Sequence, residues 1–255
     1  MESFDIAALQ LTNIERLESY WKICEEQDVR LLLLGEYVVE PFLHDWQKDI
    51  EANLAQTQKL LTSFMDLSKK YKTILAAPIL HRKNKKNYKS FALIKAGKVR
   101  YSNAQRLLDF SHWNEKELFG NTTPKNPHSP LTLEICKLKI AFLFGFEAYF
   151  DEIWIKLRAQ NVDVVCVATA ATFGSQERWR AILQSRAFLN SCYVLRANRI
   201  GAYHGETPHW EFYGDSLFIA PSGAVESFLG KDEELLIAKI LPDNINEHKT
   251  YWKFR

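Results

Sequence analysis

Three stretches constrain the fold of this chain most: Val29–Leu34, Leu138–Phe146 and Val162–Ala168, apolar apart from Arg30, Lys139 and Asp163 respectively. Each has the length of one strand. A strand with a wet face alternates apolar and polar residues, so a nearly unbroken apolar run demands cover on both faces. Helical patterns around these runs supply that cover. Ile14–Gln27 carries Leu17, Trp21 and Cys24 on one side, and Asp45–Tyr71 carries Ile50, Leu54, Leu61, Phe64 and Leu67. Asp151–Gln160 reads as another helix. Ser175 caps the last, which runs to Ser191 with Trp179, Ile182, Leu183 and Leu189 facing inward. Strands alternating with helices in this way predict an α/β chain of mixed sheets covered by helices.

Further strands are predicted at Ile6–Leu11, Ile74–Leu80, Ser90–Ala96, Lys98–Tyr101, Tyr193–Ala197, Ser216–Ile219, Ala224–Phe228 and Leu235–Ile240. Gly97 turns the chain between the third and fourth of these. Asp109–Pro130 reads as one long structured loop, a type that often carries function. The tail Asp243–Arg255 sets Tyr251, Trp252 and Phe254 among polar residues, suited either to a partner subunit or to folding back on its own domain. With no linker, low-complexity tract or repeat, residues 1–255 read as a single domain.

Composition excludes several classes of function. A formal net charge of +2 provides no field for nucleic acid. The basic stretch His81–Lys89 reads as a solvated turn. No window reaches the ~18–20 apolar residues of a membrane span, and MESFDIAALQ lacks a basic leader, so the expectation is a soluble cytoplasmic protein without a membrane partner. Cys24, Cys136, Cys166 and Cys192 are far apart and show no zinc spacing, so neither metal nor cofactor is expected.

Four segments then stand in a specific order. LLLLGEYVVEPF ends a buried strand on a glutamate, and KLKIAFLFGFEAYFDEIW joins a strand to an elbow. ERWRAILQSRAFLNSCYVLRANRIG holds a long helix and strand with Trp179, Arg186, Ala187 and the Asn198–Gly201 turn, and FYGDSLFIAPSGAVES reads as a closing hairpin. Over about residues 4–240 this series resembles the nitrilase, or carbon–nitrogen hydrolase, superfamily. The resemblance implies a four-layer αββα sandwich of two mixed β-sheets, with subunits pairing as αββααββα. It also implies hydrolysis of an amide or nitrile C–N bond through a thioester, by a glutamate, a lysine and a cysteine with a second glutamate in support. In such a set a carboxylate moves the proton of the thiol and a cation holds the developing oxyanion. Glu36 falls at the base and Glu115 near the supporting glutamate.

The resemblance breaks at two positions. On the elbow, Gly145 falls at the nucleophile, Phe146 at the aromatic residue and Glu147 at the acidic one. The family's Lys–x–x–Leu segment falls on YSNAQRLLDF and puts Ala104 at the lysine when anchored on Leu107. Arg106 shares a face with Ala104 in an extended segment, and is either a substitute cation or an ordinary loop arginine. Glu115 either supports the base or caps a short helix with Asn114. Glu147 is either pocket wall or the partner of an arginine. His112 and Trp113 either line the pocket or close a satellite core. Cys166 and Cys192 read as inert core thiols. The expectation is a homodimeric homologue that has lost thioester chemistry and keeps a pocket for a small amide, amine or carboxylate. The alternative is an active amidase-type hydrolase working through Glu36 and an unusual nucleophile or an activated water.

Overall fold

The computed structural model describes residues 2–204 and 209–254. The chain begins β1 (Phe4–Gln10), α1 (Leu17–Glu26), β2 (Val29–Leu34), a short α2 (Leu43–Trp46) and the long α3 (Ile50–Lys70). It continues through β3 (Ile74–Lys83), β4 (Lys86–Lys95) and β5 (Lys98–Asn103) to a small hairpin, β6 (Asp109–Phe110) and β7 (Trp113–Asn114). Then follow β8 (Thr132–Ile135), β9 (Leu138–Phe144), α4 (Asp151–Ala159), β10 (Val164–Thr169), α5 (Gln176–Asn190) and β11 (Tyr193–Asn198). The hairpin β12 (Ile200–His204) and β13 (His209–Tyr213), the strands β14 (Leu217–Ile219), β15 (Val225–Phe228) and β16 (Glu234–Ile240), and α6 (Pro242–Trp252) complete it.

Two six-stranded sheets result, in the orders β16-β1-β2-β3-β4-β5 and β15-β14-β11-β10-β9-β8. Each is parallel at its centre, where helices make the crossovers, and antiparallel towards its edges. The period of two along each strand divides the side chains between layers. On β10, Val164 and Cys166 enter the core between the sheets, while Val165 and Val167 face Trp154, Trp179 and Leu183 of α4 and α5. On β2, Leu31 and Leu33 meet the other sheet, and Leu32 and Leu34 pack with Trp21 of α1 and Phe64 of α3. The predicted four-layer αββα sandwich is therefore observed. Among the described residues no helix is long and apolar enough to cross a membrane.

Most of the Asp243–Arg255 tail forms α6, opened by Pro242, whose missing N–H costs nothing in a first turn. It folds back on its own domain. Asn244 donates to the Tyr193 hydroxyl at 3.1 Å, Lys249 pairs with Asp163 at 2.6 Å, and Trp252 and Phe254 pack on Phe188 of α5. Tyr251 nevertheless remains 77 % exposed.

The backbones of the two sheets meet where β2 and β10 end. The Glu36 N–H donates to the Thr169 carbonyl at 3.1 Å, and a Cβ on Gly35 would lie 2.9 Å from the Arg199 nitrogen. Only glycine allows that approach. A few residues on, buried Glu40 accepts the Leu80 N–H of β3 at 2.8 Å.

Burial pushes the Glu40 carboxyl up to about 8, although the Leu80 N–H favours its ionised form. A folded pKa above the ordinary 4.5 means that the native state holds the extra proton. The associated stability is full below about pH 4.5 and is lost as pH rises through about 8. Glu40→Gln keeps the acceptor and removes the titration. Its stability, followed by urea unfolding from about pH 5 to about pH 8, should fall less steeply than that of the unmodified chain, by up to about 1.4 kcal/mol per pH unit. Parallel profiles would show that Glu40 titrates normally.

Candidate active site

At the adjoining ends of the two sheets a buried cluster of charge forms. Glu36 follows β2 by two residues, Lys89 lies on β4, and Glu115 follows β7. The Lys89 ammonium contacts Glu36 Oε2, and it lies 2.5 Å from Glu115 Oε1. The side chains of Lys89, Glu36 and Glu115 are 3 %, 6 % and 0 % exposed. Charges so far from water persist only when paired and hydrogen-bonded. The Tyr37 hydroxyl donates to Glu115 Oε1 at 2.7 Å and the Leu108 N–H to its Oε2 at 3.2 Å. The Gly145 N–H donates to Glu36 Oε1 at 2.9 Å.

Burial pulls the Lys89 ammonium down, but Glu115 and Glu36 more than offset it and hold the lysine up at about 12. Lys89 therefore carries its charge at any ordinary pH. Burial, reinforced by the negative charge of Glu115, raises the Glu36 carboxyl against the opposing pull of Lys89 and the Gly145 N–H. Burial thus sets the direction at Glu36, and the two carboxylates set it at Lys89.

Sequence reasoning placed Lys89 at the end of a solvated turn. Residues 82–86 are indeed exposed, but β4 starts at Lys86 and carries Lys89 into the interior. Ala104 is its neighbour. Ser90 pairs with Asn103 across β4 and β5, and at the next position the Ala104 N–H donates to the Lys89 carbonyl at 2.9 Å. Asn121 clamps both chains, donating to the Lys89 and Ala104 carbonyls at 2.8 and 2.9 Å. Side chains directly opposite across two strands start about 5 Å apart. An ammonium thus reaches the glutamates from the strand beside Ala104.

The elbow differs in one detail from its expected form. The strand predicted to Phe146 ends at Phe144, and Gly145–Tyr149 form a 3-10 turn. Glu147 causes the break by accepting the Phe144 N–H at 3.0 Å through Oε2, while its Oε1 takes the Gln105 N–H at 2.7 Å. Glu147 is thus a strap between the elbow and the segment after Ala104, with burial pushing its carboxyl up to about 7. Neither sequence reading of Glu147, pocket wall or arginine partner, foresaw these backbone bonds. Arg106 points away from the cluster, pairing with Glu152 at 2.8 Å and lying over the Phe150 ring.

A cavity of about 490 Å³ opens above Glu36 and Gly145, with Phe110, His112, Trp113, Phe146, Phe173 and Trp179 along its walls. Thr169, at the end of β10, also faces it. A Cβ built on Gly145 would stand 2.8 Å from Thr169 Cγ2 and 3.2 Å from Glu36 Oε1. The threonine cannot easily turn its methyl aside, because its hydroxyl donates to Asn198 Oδ1 at 2.7 Å and accepts from Arg196 Nε at 3.0 Å. Nothing in the sequence singles out Thr169, which is one more residue at the end of a buried strand.

The fold is thus a four-layer α/β sandwich with a buried Glu–Lys–Glu cluster under a strand-to-turn elbow. The carbon–nitrogen hydrolase family profile matches residues 6–250, so the chain belongs to that family. N-carbamoylputrescine amidase from Oryza sativa subsp. japonica is 25 % identical over 272 residues, which cover 97 % of this chain and 86 % of that protein. Deaminated glutathione amidase from Synechocystis sp. is 32 % identical over 103 residues, covering 40 % of this chain and only 37 % of the relative. The crystal structure of a carbon–nitrogen hydrolase from Helicobacter pylori G27 shares the fold, with a TM-score of 0.87 at 16 % identity over 99 % of this chain and 94 % of that one.

Removing Lys89 leaves its carboxylates facing each other in a dry site. Lys89→Met should therefore lower stability by about 3–5 kcal/mol at neutral pH, measured by urea unfolding. Ala104→Lys alone should also destabilise, because Ala104 is buried and leaves no room for the longer side chain. The exchange Lys89→Ala with Ala104→Lys should recover part of what Lys89→Ala alone loses. A neutral Lys89→Met would show that the cluster does not depend on its cation.

Proposed function

We propose that this carbon–nitrogen hydrolase homologue has no thioester chemistry and uses its cavity to bind a small amide, amine or carboxylate. The supporting observation is the glycine at the elbow, with the Thr169 methyl packed against the space a side chain would need. Among the described residues no cysteine lines the cavity. Cys166 lies in the core between the sheets, where burial pushes its thiol far up, and burial raises Cys24 to about 12. Such thiols are poor nucleophiles. The named relatives are amidases, which makes amides the first compounds to test.

A second reading, hydrolysis by a water that Glu36 activates, has one observation in its favour. Glu36 faces the cavity with a carboxyl raised by burial, which suits a general base. Against it, the Lys89 ammonium in contact with Glu36 favours its ionised form and weakens it as a base. Loss of a nucleophile costs on the order of a millionfold in other hydrolases.

Gly145→Cys separates missing chemistry from a missing pocket, provided the clash at Thr169 is relieved. Thr169→Ser removes Cγ2 and keeps the hydroxyl for Asn198 and Arg196. Gly145→Cys alone should be destabilised and accumulate little acyl-enzyme from short aliphatic amides. Gly145→Cys with Thr169→Ser should fold and show the acyl adduct by intact-mass spectrometry. The unmodified chain should resist brief, dilute iodoacetamide at neutral pH. Amide hydrolysis by the unmodified chain at about 1 s⁻¹ or faster, abolished by Glu36→Gln, would establish the second reading instead.

We also propose a homodimer that continues the layers through the outer face of α4 and α5. Ile155 of α4 and Leu189 of α5 are 61 % and 45 % exposed, and Trp252, half-exposed, packs on Phe188 beside that face. Light scattering should give a dimer at micromolar concentration, and Ile155→Arg should shift it towards monomer. A monomeric unmodified chain would sink this assembly.

A further inference from the structure

The charges around Glu36 do not balance. Glu36 and Glu115 both contact Lys89, and Glu147 lies close enough to feel the charges of Lys89 and Glu36. One ammonium thus serves a group of three buried carboxyls. The neighbouring arginines are engaged elsewhere. Arg106 pairs with Glu152, and Arg199 donates to the Tyr37 carbonyl at 2.8 Å and lies over the Phe212 ring. Of the cluster, only Glu36 lines the cavity.

The walls of that cavity are aromatic. Phe146, Trp113 and Trp179 stand with Phe110 and Phe173, both well exposed and therefore towards the mouth. Ring faces carry negative potential and attract cations, most strongly where water is excluded. The only charged side chains among the described residues lining the cavity are Glu36, buried, and Arg178, exposed to solvent. An anion would meet an unbalanced carboxylate at the deep end. A neutral ligand would leave the balancing to a proton on one of the carboxyls.

We infer that the cavity takes a small organic cation, an ammonium on an apolar stem, with the ammonium against Glu36 and the stem among the aromatic rings. This rests on the cavity being a binding site, and it chooses the amine among the classes proposed above. The cation supplies the positive charge the cluster lacks. In the empty site a proton on a carboxyl can serve the same purpose, so binding of the ammonium should release a proton.

Isothermal titration calorimetry near neutral pH with phenethylamine, 2-phenylethanol and phenylacetate tests this, since the three share a stem and differ in charge. The amine should bind about tenfold or more tighter than the alcohol, and phenylacetate most weakly. Heats in two buffers of different ionisation enthalpy should reveal proton release with the amine alone. Glu36→Gln should bring the amine down to the affinity of the alcohol while leaving the alcohol nearly unchanged. The comparison on the unmodified chain decides the matter even if that variant folds poorly. Equal binding of amine and alcohol, or tightest binding of phenylacetate, overturns the inference and leaves the cavity as a binding site. No binding by any of the three overturns both.

Discussion

A lysine ammonium held in the interior between two glutamates is the constraint on which the rest of the site depends. Two buried carboxylates side by side repel each other, and water is not there to separate them. Lys89 makes their proximity tolerable, and in doing so fixes three pieces of chain: the end of β2 through Glu36, β4 through itself, and the loop after β7 through Glu115. Tyr37, next to Glu36, adds a hydrogen bond to Glu115 and so doubles the link between two of those pieces. The long loop from Asp109 onward is ordered at its root by the Glu115 carboxylate together with Trp113 and Phe119, which are buried in the core between the sheets. It can therefore present His112 and Trp113 to the cavity in a fixed position.

The elbow is built on the same logic with backbone donors. Glu147 spends both oxygens on main-chain N–H groups, one in its own turn and one at Gln105. A buried carboxylate without a cation partner would be costly, and two N–H donors reduce that cost without removing it. The raised pKa, about 7, is the remainder. Glu40 shows the same condition further along, with the Leu80 N–H as its donor and a carboxyl at about 8. Where backbone N–H groups are the main compensation, the carboxyls rise. Where a lysine joins, the burden passes between partners and the cation is held charged.

The layers were legible in the sequence because solvent and core sort residues by period, and three nearly unbroken apolar runs leave little freedom. Glu36 and Gly145 were legible because they end such runs. Lys89 was not, because a basic residue after a basic turn resembles every solvated hairpin, and its burial depends on glutamates distant in sequence. Yet one signal was available. Pairing Lys95 with Lys98 around the Ala96–Gly97 turn and counting back along both strands sets Lys89 opposite Ala104. The helix α6 was missed for a related reason. Its buried positions, Pro242, Ile245 and His248, are few, and besides the rings on Phe188 its hold on the domain comes from polar contacts to Tyr193, Asp163 and Ser191 that no local pattern announces.

The two positions at which the sequence departs from the expected pattern, Ala104 and Gly145, differ in what could act in their place. A cation acts through a field that changes slowly with distance, so a lysine on the neighbouring strand serves from nearly the same place as one at Ala104. A nucleophile acts through orbital overlap at about 3 Å, where a displacement of 1 Å can cost a hundredfold. The nearest residue across from Gly145 is Thr169, and its hydroxyl is held towards Asn198 and Arg196, with the methyl towards the glycine. No small shift brings that oxygen round without breaking both bonds. Electrostatic parts of a site can therefore migrate along a sheet and keep their effect, while the covalent part has only one address. Under the function proposed above, a chain with a buried ammonium between carboxylates and a methyl packed against the elbow glycine recognises charge in a ligand and does not break a bond in it.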